Sequence, residues 1–197
     1  DLPPAAFKTG MLATAEIAAL VADTITARGW RRYVLDPVMV STSGHRLLDA
    51  GGEAVLRERL LPLATLVTPN LDEAEILTGI TVREPAAMDE AGRRLLALGA
   101  GAALVKGGHL AGKELVDVFV TKAGIKHIRR PRVPTTSTHG TGCTLSAAIT
   151  AGLALGWELE AAVATGLDFV ARAIATAPGL GRGQGPVNHF VKVNGQQ

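Results

Sequence analysis

Three short apolar runs in this chain share one design and constrain its fold more than any other feature. They are Y-V-L-D-P at 33–37, A-T-L-V-T-P-N at 64–70 and A-A-L-V-K-G-G-H at 102–109. Each is too short and too uniformly apolar for a surface helix, and each breaks off at proline or glycine beside a polar residue. That is the pattern of a strand buried on both faces. Segments of helical period separate them. Thr14 is placed to cap a helix in which Ile17, Leu20, Val21, Thr24 and Ile25 recur helically up to Gly29. Further helices are predicted over Glu53–Leu61, residues 72–79 and Ala86–Leu98.

Strands alternating with helices predict an α/β fold with a mostly parallel sheet covered on both faces. L-V-D-V-F-V-T at 115–121 and I-K-H-I-R-R at 125–130 flank K-A-G and predict a hairpin with a three-residue connection. Helices from about Cys143 to Leu155 and from about Glu158 to Thr176 complete the pattern. Parallel sheets bind ligands beyond the carboxyl ends of their strands. Asp36, Asn70 and Lys106 stand at or just after three such ends, so an acid, an amide and a base are expected on one edge.

Composition narrows the function. A chain of 197 residues that is 47% hydrophobic and 19% charged is neither disordered nor a charged tail, and it reads as one domain. A formal charge of +2 does not suggest nucleic acid. The basic run I-K-H-I-R-R-P-R at 125–132 has no interleaved aromatic residues and reads as a solvated strand edge or loop. No apolar stretch is long enough for a membrane-spanning helix, and the start D-L-P-P-A-A-F-K-T-G-M-L lacks the pattern of a signal peptide. A single cysteine makes no internal disulfide, and a cytoplasmic setting is the default.

The chemistry concentrates in T-H-G-T-G-C-T-L-S-A-A-I at 138–149. Gly140 and Gly142 precede a buried helix, and Cys143 stands where it is expected to start. A helix amino terminus exposes unpaired N–H groups, and glycines let a ligand approach them, which makes an anion cradle. The same field stabilises a thiolate. Glycines before a helix also serve as plain punctuation, and a lone cysteine is often a small buried hydrophobe. The motif lacks the third glycine of the dinucleotide fingerprint and the Gly-Lys-Ser/Thr of a Walker loop.

N-L-D-E at 70–73 places Asn70 and Glu73 on one side of a helical turn. Hard oxygen donors of this kind, with Asp36, suit magnesium bridging phosphate oxygens; the same residues also serve as turn and helix-start residues. Lys106, followed by Gly107 and Gly108, is placed to reach a phosphate from an open turn. His45, His109, His127, His139 and His189 show no ligand spacing, and only His139 lies within the glycine motif.

V-L-D-P-V-M-V, T-P-N-L-D-E-A-E-I-L, L-V-K-G-G-H and T-H-G-T-G-C-T-L-S-A-A-I together resemble the phosphomethylpyrimidine kinases of thiamine biosynthesis, within the ribokinase-like superfamily. The likeness runs from A-F-K-T-G-M-L to G-Q-G-P-V-N-H-F. It implies a ribokinase-like three-layer sandwich that uses MgATP to phosphorylate hydroxymethylpyrimidine and then its monophosphate. It implies that Gly140, Thr141, Gly142 and Cys143 form the anion hole, with Cys143 near the substrate hydroxyl as base or nucleophile. Asn70, Lys106 and Gly108 would serve ATP, Asp36 and Glu73 the magnesium, and Met11 and Val38 the pyrimidine pocket. A homodimer is implied too. Family members begin with further strands, so residues 1–197 are read as one kinase domain lacking its N-terminal part.

Two alternatives stay open. One is a pyridoxal or dual-specificity kinase of the same cysteine-bearing branch. The other is a non-catalytic nucleotide-binding protein. A nicotinamide dehydrogenase is disfavoured by the missing glycine fingerprint.

Overall fold

The computed structural model describes residues 2–40, 46–108, 112, 114–180 and 183–192. A six-stranded sheet runs in sequence order through β1 (Phe7–Thr9), β2 (Tyr33–Leu35), β3 (Leu66–Val67), β4 (Ala103–Val105), β5 (Glu114–Thr121) and β6 (Gly124–Pro131). The first four pair in parallel, and β5 and β6 add an antiparallel hairpin beside β4. Parallel strands that step one way, joined by right-handed crossovers, send every crossover to the same face. These crossovers carry α1 (Ala15–Arg28), α2 (Ala50–Val55), α3 (Leu71–Thr78) and α4 (Pro85–Ala97). The opposite face is left to α5 (Thr141–Ala154) and α6 (Leu159–Ala175).

Side-chain alternation along the strands fits those two layers. Tyr33, Leu35, Val67, Ala103, Val105, Val118 and Val120 pack with the crossover helices. Val34, Leu66, Leu104 and Phe119 pack with Leu145, Ile149 and Leu153 of α5 and Val163 and Leu167 of α6. The result is the expected three-layer α/β sandwich. Among the described residues no helix is long and apolar enough to cross a membrane.

Several local expectations shift. The strand β1 carries Lys8 and Thr9 and gives no apolar run, so periodicity did not announce it. The helix expected from Glu53 begins at Ala50 because Asp49 caps it, accepting the Gly52 N–H at 2.5 Å. It then widens to a π turn over Leu56–Leu60 and tightens to a 3-10 turn over Leu61–Leu63, where Pro62 has no N–H to give. Gly124, at φ 151°, joins the ladder opposite Thr121, so the hairpin connection is Lys122–Ala123 rather than three residues. The run 64–70 forms strand only at Leu66–Val67, with a separate bridge from Asn70 to Lys106.

Thr14 caps α1 by accepting the Ile17 N–H, as the sequence predicts, and Ala13 just before it adopts φ 62°. An L-residue with a Cβ is disfavoured in that left-handed region by roughly 1 kcal/mol. An unfolded glycine loses more entropy on folding, which offsets most of this, so Ala13→Gly is expected to be neutral to stabilising by up to about 0.5 kcal/mol in urea denaturation.

Candidate active site

The parallel strands fix the backbone of the site. Beyond β2 the Asp36 N–H donates to Thr9 O, beyond β3 the Thr68 N–H donates to Leu35 O, and beyond β4 the Lys106 N–H donates to Pro69 O. Each polar residue is thus tied to its neighbouring strand at the same edge of the sheet. Asp36 is 1% exposed and forms the hub. Its Oδ1 accepts from Lys106 Nζ at 3.2 Å and from Thr68 Oγ1 at 3.2 Å, while Oδ2 accepts from Ser146 Oγ at 3.1 Å. The Ser146 hydroxyl shares its one proton with the Cys143 carbonyl, also at 3.1 Å, which joins the hub to the first turn of α5.

That helix starts at Thr141, so Cys143 is its third residue and not its first. Gly140 is its N-cap at φ 80°, a left-handed conformation natural to glycine, and no side chain caps the end. The Thr141 N–H donates to the Thr138 carbonyl at 3.4 Å, which leaves the N–H groups of Gly142 and Cys143 to face a ligand. A Cβ at Gly142 would lie 3.3 Å from Lys106 Nζ, so the ammonium rests against this helix mouth. Cys143 is exposed. Burial pulls the Lys106 pKa down most strongly, but the Asp36 and Glu73 carboxylates outweigh it and hold it above the usual lysine value. A cation, an uncapped helix end and a thiol share one surface.

Asn70 and Glu73 form a reciprocal capping box on α3. Asn70 Oδ1 accepts the Glu73 N–H at 2.9 Å, and Glu73 Oε2 accepts the Asn70 N–H at 2.7 Å. The spacing first read for metal chemistry thus also builds the helix start. Glu73 is 3% exposed, and its burial raises its pKa to about 7 against the opposing pull of Lys106 and the Asn70 N–H. The folded state binds this proton more tightly than the unfolded chain, whose carboxyl has the ordinary value of 4.5. Its favourable contribution is complete below pH 4.5 and lost as pH rises through about 7. Glu73→Gln keeps the capping box and is expected to flatten the loss of stability over that window, as read from urea midpoints at a series of pH values.

Met11, 59% exposed, follows β1, and half-buried Val38 follows β2. A Cβ on Gly10 would meet Lys8 Nζ at 3.4 Å and Val38 Cγ2 at 4.0 Å, so these loops adjoin at the same edge. Gly108 is exposed, with open space where a Cβ would stand. Among the histidines, His139 pairs by its backbone with the 185–186 segment, His127 Nε2 meets Asp89 Oδ1 at 2.6 Å, and His189 Nε2 meets Thr144 Oγ1 at 3.1 Å. His45 and His109 lie outside the described residues. No group of three or more His, Cys, Asp or Glu placed to hold a metal occurs among the described residues.

Sequence reasoning missed Thr68 and Ser146, and it missed a groove. Ser146 had a signal, a polar residue three positions after Cys143 in an apolar helix. The groove, of about 580 Å³, runs from Cys143 and Thr144 between α5 and α6, past Trp157, Phe169 and His189. It is an apolar slot that opens beside the anion cradle.

The family described as Phosphomethylpyrimidine kinase matches residues 1–188. The chain is 46% identical over 191 residues to the thiamine biosynthesis bifunctional protein ThiED of Geobacter sulfurreducens, covering 97% of this chain and 39% of that protein. It is 44% identical to the hydroxymethylpyrimidine/phosphomethylpyrimidine kinase of Synechococcus elongatus, covering 96% of this chain and 72% of that one. Among solved structures, an ADP complex of Bacillus subtilis pyridoxal kinase superposes with a TM-score of 0.86 at 37% identity, over 94% of this chain and 69% of that one. The strand-end hub, the uncapped glycine helix with its thiol and the family match over nearly the whole length agree, and the chain belongs to the phosphomethylpyrimidine kinase family, with a ribokinase-like fold.

Proposed function

We propose that this chain forms a kinase domain that transfers the γ-phosphoryl group of ATP to the hydroxyl of hydroxymethylpyrimidine, and then to the phosphate of its monophosphate. The observation that carries this reading is the convergence of Lys106, the Asp36 hub and the uncapped, thiol-bearing mouth of α5 on one sheet edge. Phosphoryl transfer asks a protein chiefly for positioning and charge neutralisation. The N–H groups of Gly142 and Cys143 receive the transferred phosphoryl oxygens, and Lys106 neutralises charge beside them. Cys143, as thiolate, takes the proton of the attacking hydroxyl. The oxygen–phosphorus bond forms as the bond to ADP breaks, and the thiol later returns its proton to solvent. Met11 and Val38 adjoin the pyrimidine, while Asn70 and Gly108 flank the phosphates. The groove along α5 and α6 offers the nucleotide base an apolar slot lined by Trp157 and Phe169.

The donor set also fits magnesium. Asp36 and Glu73 are buried acids with oxygens already engaged. They suit an ion that keeps several waters and takes most of its ligands from phosphate. When bound, the ion would neutralise charge on the phosphate oxygens, with Asp36 and Glu73 on its protein side. A cytoplasmic homodimer is the setting that the family resemblance and the single cysteine support.

A second reading, a pyridoxal kinase, is favoured by the superposition on the Bacillus subtilis enzyme. A parallel assay of the chain with hydroxymethylpyrimidine, its monophosphate and pyridoxal separates the two. Preferred turnover of the pyrimidines is expected. Equal or better turnover of pyridoxal overturns the substrate assignment, and nucleotide binding without transfer to any of them overturns the kinase reading.

A further inference from the structure

The turn behind Lys106 is built around an ion pair, between buried Asp117 and partly exposed Arg130, that the proposed reaction does not use. The ladder between β4 and β5 runs from Ala103–Val120 to Val105–Val118, and one more step would set Lys106 opposite Asp117. That step is not made. Lys106 bridges Asn70 on the other side, and the next N–H, of Gly107, donates to the Asp117 carboxylate at 3.0 Å. A side chain thus replaces a backbone carbonyl just where the strand must turn. Gly107 is buried, and a Cβ there would fall 1.9 Å from Val116 O, so no other residue fits this approach.

Asp117 is 4% exposed and shares the sheet face of Phe119, towards α5 and α6. Its second oxygen accepts from Arg130 Nη2, and Arg130 Nη1 donates to the Leu167 carbonyl at 3.1 Å. Leu167 lies in α6 between Thr165 and Phe169, two residues that line the groove beside Cys143. The guanidinium neutralises a carboxylate that would otherwise oppose an anion at the adjoining turn. It also fastens that turn to the wall of the groove.

We propose that Asp117 and Arg130 are positioning residues for nucleotide binding, holding the Lys106–Gly108 turn in register with α6 so that the phosphate and base ends of the site form one rigid surface. This rests on the nucleotide-site reading above. Neither residue touches the reacting atoms.

The test is calorimetric titration of the chain and its variants with magnesium AMP-PCP and, separately, with hydroxymethylpyrimidine, alongside urea denaturation. Asp117→Asn is expected to weaken AMP-PCP by about 10-fold or more, the scale of a hydrogen bond to a charged group, while pyrimidine affinity stays within about 2-fold. Arg130→Lys, which keeps the charge but not the two-pronged donor, is expected to fall between Asp117→Asn and the parent. The double variant Asp117→Val, Arg130→Met removes both charges together; it is expected to fold and to bind AMP-PCP as weakly as Asp117→Asn. A parent that does not bind AMP-PCP refutes the nucleotide-site reading itself. A parent that binds, with a folded Asp117→Asn or folded double variant of equal affinity, overturns the positioning role alone. Parallel loss of both ligands in a folded variant also overturns it, since that marks a general structural contribution.

Discussion

Cys143→Ala is expected to lower phosphoryl-transfer turnover by about 10²- to 10⁴-fold, the range supplied by a positioned general base. The thiol is exposed, so stability should change by no more than about 0.5 kcal/mol. Nucleotide affinity should hold as well, because the N–H groups at the mouth of α5 belong to the backbone and survive the substitution. The expected signature is a fall in kcat with little change in KM for ATP, read from steady-state kinetics beside a denaturation curve. Full turnover in a folded variant would remove Cys143 from the chemistry and leave the cradle to act by positioning alone.

Asp36→Ala is expected to act on fold and function together. Asp36 holds Lys106, Thr68 and Ser146 from three other parts of the chain, and its loss leaves the Lys106 ammonium without its hydrogen-bonded carboxylate, with Glu73 nearby. Breaking a buried pair by removing one partner costs about 3–5 kcal/mol, and the lower end applies because Lys106 keeps Glu73 nearby. Asp36→Asn retains an acceptor for Ser146 or Thr68 and should cost less stability. It should still lose nucleotide affinity, because Lys106 is no longer drawn to its place. Urea denaturation together with AMP-PCP titration checks both. A fully stable Asp36→Ala that binds nucleotide normally would show that the hub is not what sets Lys106.

The elements legible in the sequence were those whose own residues carry their signal. Thr14 and Gly29 bound α1 as read, because a cap and a left-handed glycine are local chemistry. The strands β2, β3 and β4 were legible because both their faces are covered, which leaves uniformly apolar runs. The strand β1 was not, since F-K-T borrows its conformation from backbone pairing with β2. At the candidate site, Asp36 and Lys106 were expected at one edge by the rule that ligands gather at the carboxyl ends of parallel strands, and they meet there. Their direct ion pair was not foreseen, because it depends on the register of β2, β3 and β4. Asn70 and Glu73 show the limit of spacing: the same positions that suit a metal build a capping box. The groove was invisible for another reason. Its walls are Ala147, Ala148, Ala151 and Gly152, ordinary small residues whose meaning appears only once Trp157 and Phe169 are packed opposite them.

In the proposed kinase the thiol, the lysine and the helix mouth surround one bound triphosphate. Cys143 is the only cysteine in the chain and is exposed, so its alkylation reports on that place alone. The direct measurement is the rate of iodoacetamide labelling with and without saturating magnesium AMP-PCP, in the parent and in Lys106→Ala. Strong protection in the parent, largely relieved in Lys106→Ala, is the expected result. Unchanged labelling of a parent that calorimetry shows to be nucleotide-bound would place the triphosphate away from Cys143 and overturn this arrangement.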